Sequence, residues 1–219
     1  MLACLHSIVL FFFTFLELTE TCSAQLIRRW LLGAMENLDF SYILNSTAIR
    51  EKIKEWLIED IPAFDFGGLV VGSQTETAVL LCKSSGVLCG IPFVNAVFQE
   101  VGCNIEWCET EGCSLFAPIK VATVTGPANS ILKGERLALN ILSRASGVAT
   151  LARKCRNIAS SCRWSGEIAA TRKTTPGFRM VEKYALLVGG VSQHRYDLSS
   201  MVMLKDNHIW TAGNITKVS

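Results

Sequence analysis

A concentration of cationic side chains between residues 171 and 195 is the feature of this sequence best suited to chemistry. The stretch 171–184 reads TRKTTPGFRMVEKY, and the cations in it and shortly after it are Arg172, Lys173, Arg179, Lys183 and Arg195. The formal net charge of the chain is only +2, so this excess is local. Like charges gathered in one cleft repel each other unless a ligand supplies the opposite charge. The residue types therefore predict a polyanion site for a phosphate, a pyrophosphate or several carboxylates.

A strand and a helix are predicted on either side of this basic segment. The apolar run 167–170 is typical of a buried strand, and Thr-Thr-Pro-Gly at 174–177 predicts a turn. Apolar residues then recur at helical spacing across 178–188, and two glycines at 189–190 end the pattern. Strand, basic turn and helix together make one βα unit.

A second unit is predicted further along. The run MVML at 201–204 favours another buried strand, with Lys205 at its end and a turn at 206–208. Side chains at the carboxyl ends of barrel strands converge on one mouth, so in a βα barrel Arg172, Lys173 and Lys205 would face one another. Solvated surface charge is the alternative for such residues. The chain contains neither GxxxxGK[ST] nor GxGxxG, so no nucleotide-binding loop of those types is predicted.

Five segments carry a resemblance to a known family. They read CKSSGVLCGIPF (82–93), GERLALNILSRASGVAT (134–150), TRKTTPGFR (171–179), EKYALLVGG (182–190) and SQHRYDLSSMVMLKDNH (192–208). Together they resemble the quinolinate phosphoribosyltransferase family, the decarboxylating transferases of de novo NAD synthesis, from about Met35 onward. The resemblance implies transfer of a phosphoribosyl group from phosphoribosyl pyrophosphate to quinolinate, with loss of carbon dioxide and formation of nicotinate mononucleotide.

The resemblance also implies a set of site residues. The expected substrate-binding residues are Arg136, Arg172, Lys173, Thr174, His194, Arg195 and Lys205, of which Lys173 and Lys205 are also expected to be catalytic. The arginines and the histidine would hold the two carboxylates of quinolinate or of a similar dicarboxylate, since arginine binds a carboxylate through paired hydrogen bonds. The lysines would balance the phosphates. Mg²⁺ is expected on the pyrophosphate, with no metal ligand from this chain.

Partners and location are also inferred from the family. Arg136 matches an arginine that reaches the active site of a neighbouring subunit, so a homodimer or a larger homo-oligomer is expected. We expect a cytoplasmic protein that binds neither nucleic acid nor a membrane.

The implied fold has an α+β N-terminal sandwich domain at 35–148, followed by the first part of an incomplete α/β barrel at 149–219. The later barrel strands of the family supply acidic residues and phosphate-binding loops. We therefore expect this chain, read as a C-terminally truncated member, to be inactive alone. The alternative is a non-catalytic short form that associates with full-length subunits.

Periodicity predicts the remaining elements. The predicted helices are 46–61, 93–101 and 131–158, the last with a break near 146–147; the predicted strands are 78–82, 104–108 and 121–125, with an extended piece at 87–90. The stripe Ile49, Ile53, Trp56 and Leu57 is interpreted as ordinary core.

Residues 1–34 differ from the rest because 8–16 (IVLFFFTFL) is strongly apolar. This run is shorter than the roughly 20 residues of a membrane span. Residues 1–34 are interpreted as an upstream extension ahead of Met35, and a secretory signal is the alternative. The nine cysteines are an odd number without a CxxC pair, which favours free thiols over a disulfide framework or a zinc site.

Overall fold

The computed structural model describes residues 11–12, 40–214 and 216. Its helices are α1 (Ser46–Asp60), α2 (Phe66–Val71), α3 (Ile91–Glu100), α4 (Ala128–Ser161), α5 (Arg179–Val188) and α6 (Asp206–Ala212). Its strands are β1 (Phe11–Phe12), β2 (Thr75–Cys82), β3 (Gly86–Val87), β4 (Asn104–Trp107), β5 (Ser114–Leu115), β6 (Ile119–Pro127) and β7 (Ile168–Ala169). The chain is therefore mixed α and β, as the sequence predicted.

A three-stranded antiparallel sheet with the order β2-β6-β4 forms the first part of the molecule. In the central strand, Thr125 is in register with Thr77 on one side and with Asn104 on the other. Two further antiparallel pairs join β3 to β5 and β1 to β7. Of the extended piece predicted at 87–90, only Val87 belongs to a strand, and α3 begins at Ile91.

Helices α1, α3 and α4 bury the apolar side of this sheet. Asn45 begins α1, since its side chain accepts hydrogen bonds from the backbone N–H groups of Thr47 and Ala48. Ile49 and Ile53 of the predicted stripe are buried, and Trp56 and Leu57 pack against the same core. The interpretation of that stripe as core is confirmed. The core also contains Phe93, Val97, Val124 and Ile141.

Helix α4 is continuous over 34 residues, so the predicted break near 146–147 is wrong. Ser146 lies against the loop after β3, where its hydroxyl accepts a hydrogen bond from the Cys89 N–H. A Cβ at Gly147 would contact nothing within 4 Å, so this glycine faces open space. A helical glycine costs about 1 kcal/mol relative to alanine, which packing along a helix of this length outweighs. The buried face of α4 includes Leu137 and Ala138, whereas Leu139 is only half-buried.

A second, smaller apolar cluster attaches β7 and α5 to the far half of α4. Its buried members are Ala152, Ala170, Leu186 and Val191. Arg153 of α4 closes the end of α5, because its guanidinium donates to the carbonyl oxygens of Val188 (2.9 Å) and Gly189 (3.2 Å). These contacts satisfy helix-end carbonyls that lack partners within the helix.

The strand predicted at 201–204 is wrong. This segment has no regular structure, and the side chains of Met201 and Val202 are exposed. A strand needs a neighbouring strand for its backbone hydrogen bonds, and none of the described strands pairs with this segment. The turn predicted at 206–208 is instead the start of α6. Apolar composition alone therefore did not make this run a strand.

Some sequence-based predictions lie outside the described residues. These are the apolar run 8–16, apart from β1, and the first two cysteines. All seven cysteines within the described residues are free, as predicted. No helix in the described part of the chain is both long and apolar enough to cross a membrane.

Candidate active site

Two backbone segments that lead into basic residues run side by side in the same direction. Ala169 of β7 forms a parallel bridge with Ser192. The Ala170 N–H donates to the Ser192 carbonyl, and the Ser192 N–H donates to the Ile168 carbonyl, both at 2.9 Å. Arg172 and Arg195 each follow this bridge by three residues. Because parallel segments end at the same edge of a sheet, the fold brings both basic segments to one edge.

The turn after β7 is held by Glu182 of α5. The Oε1 atom of Glu182 accepts the Thr175 hydroxyl at 2.7 Å, and its Oε2 atom accepts the Thr175 N–H at 3.0 Å. Arg144 of α4 completes the network, because its Nε donates to Glu182 at 2.8 Å and its Nη2 to the Thr175 hydroxyl at 2.6 Å. One buried carboxylate thus fixes the turn that carries the cations.

Two arginines line this turn in different ways. Arg179 is oriented by the Thr174 hydroxyl, which accepts from its Nε at 3.1 Å, and its guanidinium lies 6.0 Å from the centre of the Tyr196 ring. The Nε of Arg172 is buried and has no hydrogen-bond partner among the described residues. A buried donor without an acceptor is costly, and an acceptor from a ligand would remove that cost.

Lys183 lies inside the molecule behind these arginines and has no exposed surface. Its Nζ donates to the Gln193 carbonyl and, at 3.2 Å, to the Arg195 carbonyl. Burial, with the charges of Arg179 and Arg172 nearby, lowers the pKa of Lys183 to about 8. Three cationic side chains therefore interact across this part of the molecule, in an arrangement that favours an anionic ligand.

The segment after Ser192 places His194 and Arg195. His194 has a φ of +53°, a left-handed conformation that is uncommon for residues other than glycine. Its N–H donates to the Ser192 hydroxyl at 3.2 Å. Arg195 is buried, and its Nη1 donates to the Met201 carbonyl at 3.4 Å.

A cavity of about 560 Å³ lies between α5 and this segment. Its lining includes Ser192, His194 and Tyr196. Its size is within the range of ordinary small-molecule sites, which extends from about 300 to 1,000 Å³.

Comparison with family models assigns both parts of the chain. The model of the quinolinate phosphoribosyl transferase N-terminal domain matches residues 64–146. The model of the C-terminal domain of the same family matches residues 148–219. The chain belongs to the quinolinate phosphoribosyl transferase family.

Relatives from distant organisms agree with this family. The chain is 48% identical over 183 residues to the nicotinate-nucleotide pyrophosphorylase [carboxylating] of Rattus norvegicus, covering 84% of this chain and 61% of the relative. The human protein of the same description is 45% identical, with 84% and 62% covered. A solved structure of the nicotinate-nucleotide pyrophosphorylase from Francisella tularensis superposes with a TM-score of 0.74 at 31% identity, covering 83% of this chain and 65% of that one. The chain thus spans less than two thirds of the length of these relatives.

Most of the site residues predicted for this member of the quinolinate phosphoribosyl transferase family lie in one region of the structure. Arg172, Lys173 and Thr174 lie on the turn after β7, and His194 and Arg195 lie on the adjacent parallel segment. Among the described contacts, no ion pair or side-chain hydrogen bond connects Arg136 or Lys205 to these residues.

Arg136 and Lys205 are both exposed. Arg136 projects from the first half of α4, ahead of Arg144. Lys205 precedes α6, where its N–H donates to the His208 Nδ1 at 3.2 Å. Because residues 201–204 form no strand, Lys205 does not stand at the end of one.

Sequence reasoning missed Arg144 and Glu182, and it did not recognise that Lys183 is buried. One signal was available, because Glu182 follows Phe178 by four residues and so shares the apolar face of the predicted helix. A charged residue on the apolar face of a helix indicates that its side chain is buried and binds a polar or oppositely charged group. No comparable signal identified Arg144, whose partners are distant in sequence.

Proposed function

We propose that this protein transfers a phosphoribosyl group from phosphoribosyl pyrophosphate to quinolinate, with decarboxylation to nicotinate mononucleotide, as a pentosyltransferase of NAD biosynthesis. The proposal rests on one observation. In a chain of the quinolinate phosphoribosyl transferase family, the parallel pairing of Ala169 with Ser192 brings the basic segments that follow them to one edge.

The dicarboxylate would be bound by Arg172, His194 and Arg195, with Arg136 contributed by a partner subunit. Arginine suits this role because its planar donors pair with both oxygens of a carboxylate. The buried and unpartnered Nε of Arg172 supports this assignment, since it is a donor without an acceptor. A ligand carboxylate would supply the missing acceptor.

The phosphates would be bound by Lys173 and Lys205, with Thr174 contributing its hydroxyl or backbone. In the proposed reaction the ring nitrogen bonds to the ribose and pyrophosphate leaves with the electrons of the broken bond. The ring nitrogen is then cationic, which allows the adjacent carboxylate to leave as carbon dioxide while the ring carbon takes up a proton. Fixed positive charges stabilise the negative charge that develops on the leaving pyrophosphate.

Mg²⁺ is proposed as an ion that arrives with the pyrophosphate. Within the described residues no group of three or more His, Cys, Asp or Glu side chains is arranged to hold a metal. The ion would be held by the pyrophosphate, whose negative charge it would partly neutralise.

The finer architecture is part of the same proposal. Residues 35–148 would form the N-terminal sandwich domain and residues 149–219 the first part of an α/β barrel, with α4 spanning the boundary. The protein would work as a cytoplasmic homodimer or larger homo-oligomer. In such an assembly the exposed position of Arg136 leaves it free to reach a neighbouring subunit.

Calorimetric titration of quinolinate into the full chain tests the proposal. We expect binding that is weaker for the monocarboxylate nicotinate. We also expect Arg172→Met to weaken quinolinate binding roughly tenfold or more, since a charge-assisted hydrogen bond contributes about 1.5–3 kcal/mol. Arg50→Met, on the exposed side of α1, is the matched control and should bind as the wild type does.

Turnover is measured on the same samples as carbon dioxide release after addition of phosphoribosyl pyrophosphate and Mg²⁺. The chain alone is expected to be inactive, so release that depends on Arg172 would show that expectation to be wrong and would support the complete reaction in this chain. Binding without turnover would restrict the chain to the dicarboxylate half of the site, and equal affinity for quinolinate and nicotinate would contradict a dicarboxylate site.

A further inference from the structure

Lys183 is an unusual residue to find in a core, because lysine is rarely buried unless its charge is balanced. Within the described part of the chain it is among the largest side chains with no exposed surface. No described salt bridge pairs it with a carboxylate; its described partners are the carbonyl oxygens of Gln193 and Arg195. The two residues that it binds lie immediately before and after His194.

The contact between α5 and this segment is reciprocal. The Gln193 side chain donates through Nε2 to the Lys183 carbonyl at 3.3 Å. The His194 N–H is held by the Ser192 hydroxyl. Hydrogen bonds from both sides thus hold the backbone around His194.

That backbone requires such support because His194 has a φ of +53°. A left-handed conformation places the Cβ of an L-residue close to its own carbonyl oxygen, so it persists only when the surroundings enforce it. The Lys183 ammonium binds carbonyls on both sides of the strained residue. It is therefore placed to enforce this conformation.

Stability alone does not explain a charge at this position. Taking an ammonium out of water is costly, and exchanging a buried charge for an apolar side chain of similar size is often neutral or stabilising. The nearby charges of Arg172 and Arg179 add to the cost. A methionine would fill the same space without either penalty.

We propose that Lys183 is a positioning residue: its buried ammonium binds the carbonyls on either side of His194 and so fixes His194 and Arg195 at the edge where Arg172 lies. The consequence for ligand binding rests on the proposed function. The effect on the backbone does not.

Amide hydrogen exchange of the full chain, followed by mass spectrometry, tests the backbone part without any ligand. In Lys183→Met we expect exchange across residues 192–196 to accelerate roughly tenfold, the effect of losing hydrogen bonds to a charged donor. The turn at 172–177, which Glu182 holds, should change much less. Lys183→Gln retains amide donors and should recover part of the protection.

Leu186→Ala is the matched control because it removes packing from the same helix without touching either carbonyl. It should accelerate exchange throughout α5 rather than at 192–196 in particular. If Lys183→Met gives the same general pattern as Leu186→Ala, or leaves 192–196 protected, the proposal is overturned. If Lys183→Met does not fold, the Lys183→Gln comparison decides by the same criterion.

A double-mutant cycle on quinolinate binding tests the consequence for the site. Lys183→Met alone should weaken binding roughly tenfold, and should add little in a His194→Ala background, since residues that act through one another are not additive. Additive losses would show that Lys183 does not act through His194. If the wild type binds no quinolinate, the proposed function fails, whereas the exchange result still decides whether Lys183 holds this backbone.

Discussion

Arg144 of α4 and Glu182 of α5 form an ion pair, with 2.8 Å between Nε and Oε1, that connects the long helix to the basic turn. The glutamate is buried, whereas the arginine is about half exposed. The same carboxylate binds the backbone and the hydroxyl of Thr175. The pair therefore holds together two helices and the turn that carries the candidate substrate-binding residues.

Glu182→Gln should destabilise the fold by about 2 kcal/mol. The amide keeps the size of the carboxylate but loses its charge and offers one acceptor oxygen in place of two, so Arg144 and Thr175 lose charge-assisted hydrogen bonds. The free energy of unfolding in urea measures this loss. Glu59→Gln, an exposed carboxylate near the end of α1, is the control and should change stability by less than about 0.5 kcal/mol. An equal effect of both substitutions would contradict a role for Glu182 in holding the turn.

The stability contributed by Lys183 should rise at alkaline pH. Its pKa is lowered from 10.5 to about 8 by burial and by Arg179 and Arg172. Between these two values the unfolded chain binds more protons at this site than the folded chain, so the free energy of unfolding increases with pH.

The measurement for Lys183 is the difference in unfolding free energy between the wild type and Lys183→Met. Ionisation of the other groups largely cancels in this difference. The wild type should gain stability relative to the variant from pH 8 towards 10.5. A difference that stays flat across that range would show that the folded and unfolded chains hold this proton equally well.

Glu111 should have the opposite pH dependence. Its carboxylate accepts the Gly90 N–H at 2.7 Å and the Ile91 N–H at 2.8 Å, which satisfies the first turn of α3. Burial nevertheless raises its pKa from 4.5, against the opposing effect of these hydrogen bonds. The folded chain therefore holds the proton more tightly than the unfolded chain, and the stabilisation from this group is complete below pH 4.5 and is lost as pH rises through the folded-state pKa.

Comparison of the wild type with Glu111→Gln isolates this effect. As pH is lowered from 7 towards 4.5, the wild type should gain stability relative to the variant. Urea unfolding at several pH values gives the difference. A relative loss of stability on acidification would mean that the bonds from Gly90 and Ile91 outweigh burial.

The cysteines should differ widely in reactivity. Cys89 is fully buried, and burial together with the Glu111 carboxylate raises the pKa of its thiol well above the ordinary value. Cys108 and Cys162 are exposed. Since the thiolate is the reactive form, alkylation of the native protein should modify the exposed pair first, with Cys89 slower by about a hundredfold or more because it must await opening of the structure. Mass spectrometry of peptides identifies the modified sites, and equal rates would contradict the buried position.

Much of the fold could be predicted from local pattern. The apolar stripe around Ile49 and Ile53 indicated α1, and the spacing after Phe178 together with the glycine pair at 189–190 indicated α5 and its end. In these two helices the buried residues recur with the period of an α-helix. The local sequence is therefore enough to predict both the helix and its buried face. Gly190, with a φ of +86°, ends α5 in a conformation that glycine adopts without strain.

Elsewhere the same reasoning failed for a physical reason. Residues 201–204 are as apolar as a buried strand. A strand, however, needs hydrogen bonds to the backbone of a neighbouring strand, and the pattern of apolar residues does not show whether such a neighbour exists. Within α4 the error was the opposite one, because a break was predicted where the structure has a continuous helix. Ser146 and Gly147 look like a helix end, yet the contact of Ser146 with the loop at Cys89 and the packing on both sides carry the helix through.

The sequence by itself determined the concentration of positive charge, its place between a strand and a helix, and the family to which its motifs point. These are properties of residue type and spacing. The tertiary structure alone decided that Glu182 and Lys183, adjacent in sequence, hold two different segments: one the turn at Thr175, the other the backbone around His194. A buried charge acquires its role from the groups that surround it, and those groups come from distant parts of the chain that meet only when it folds.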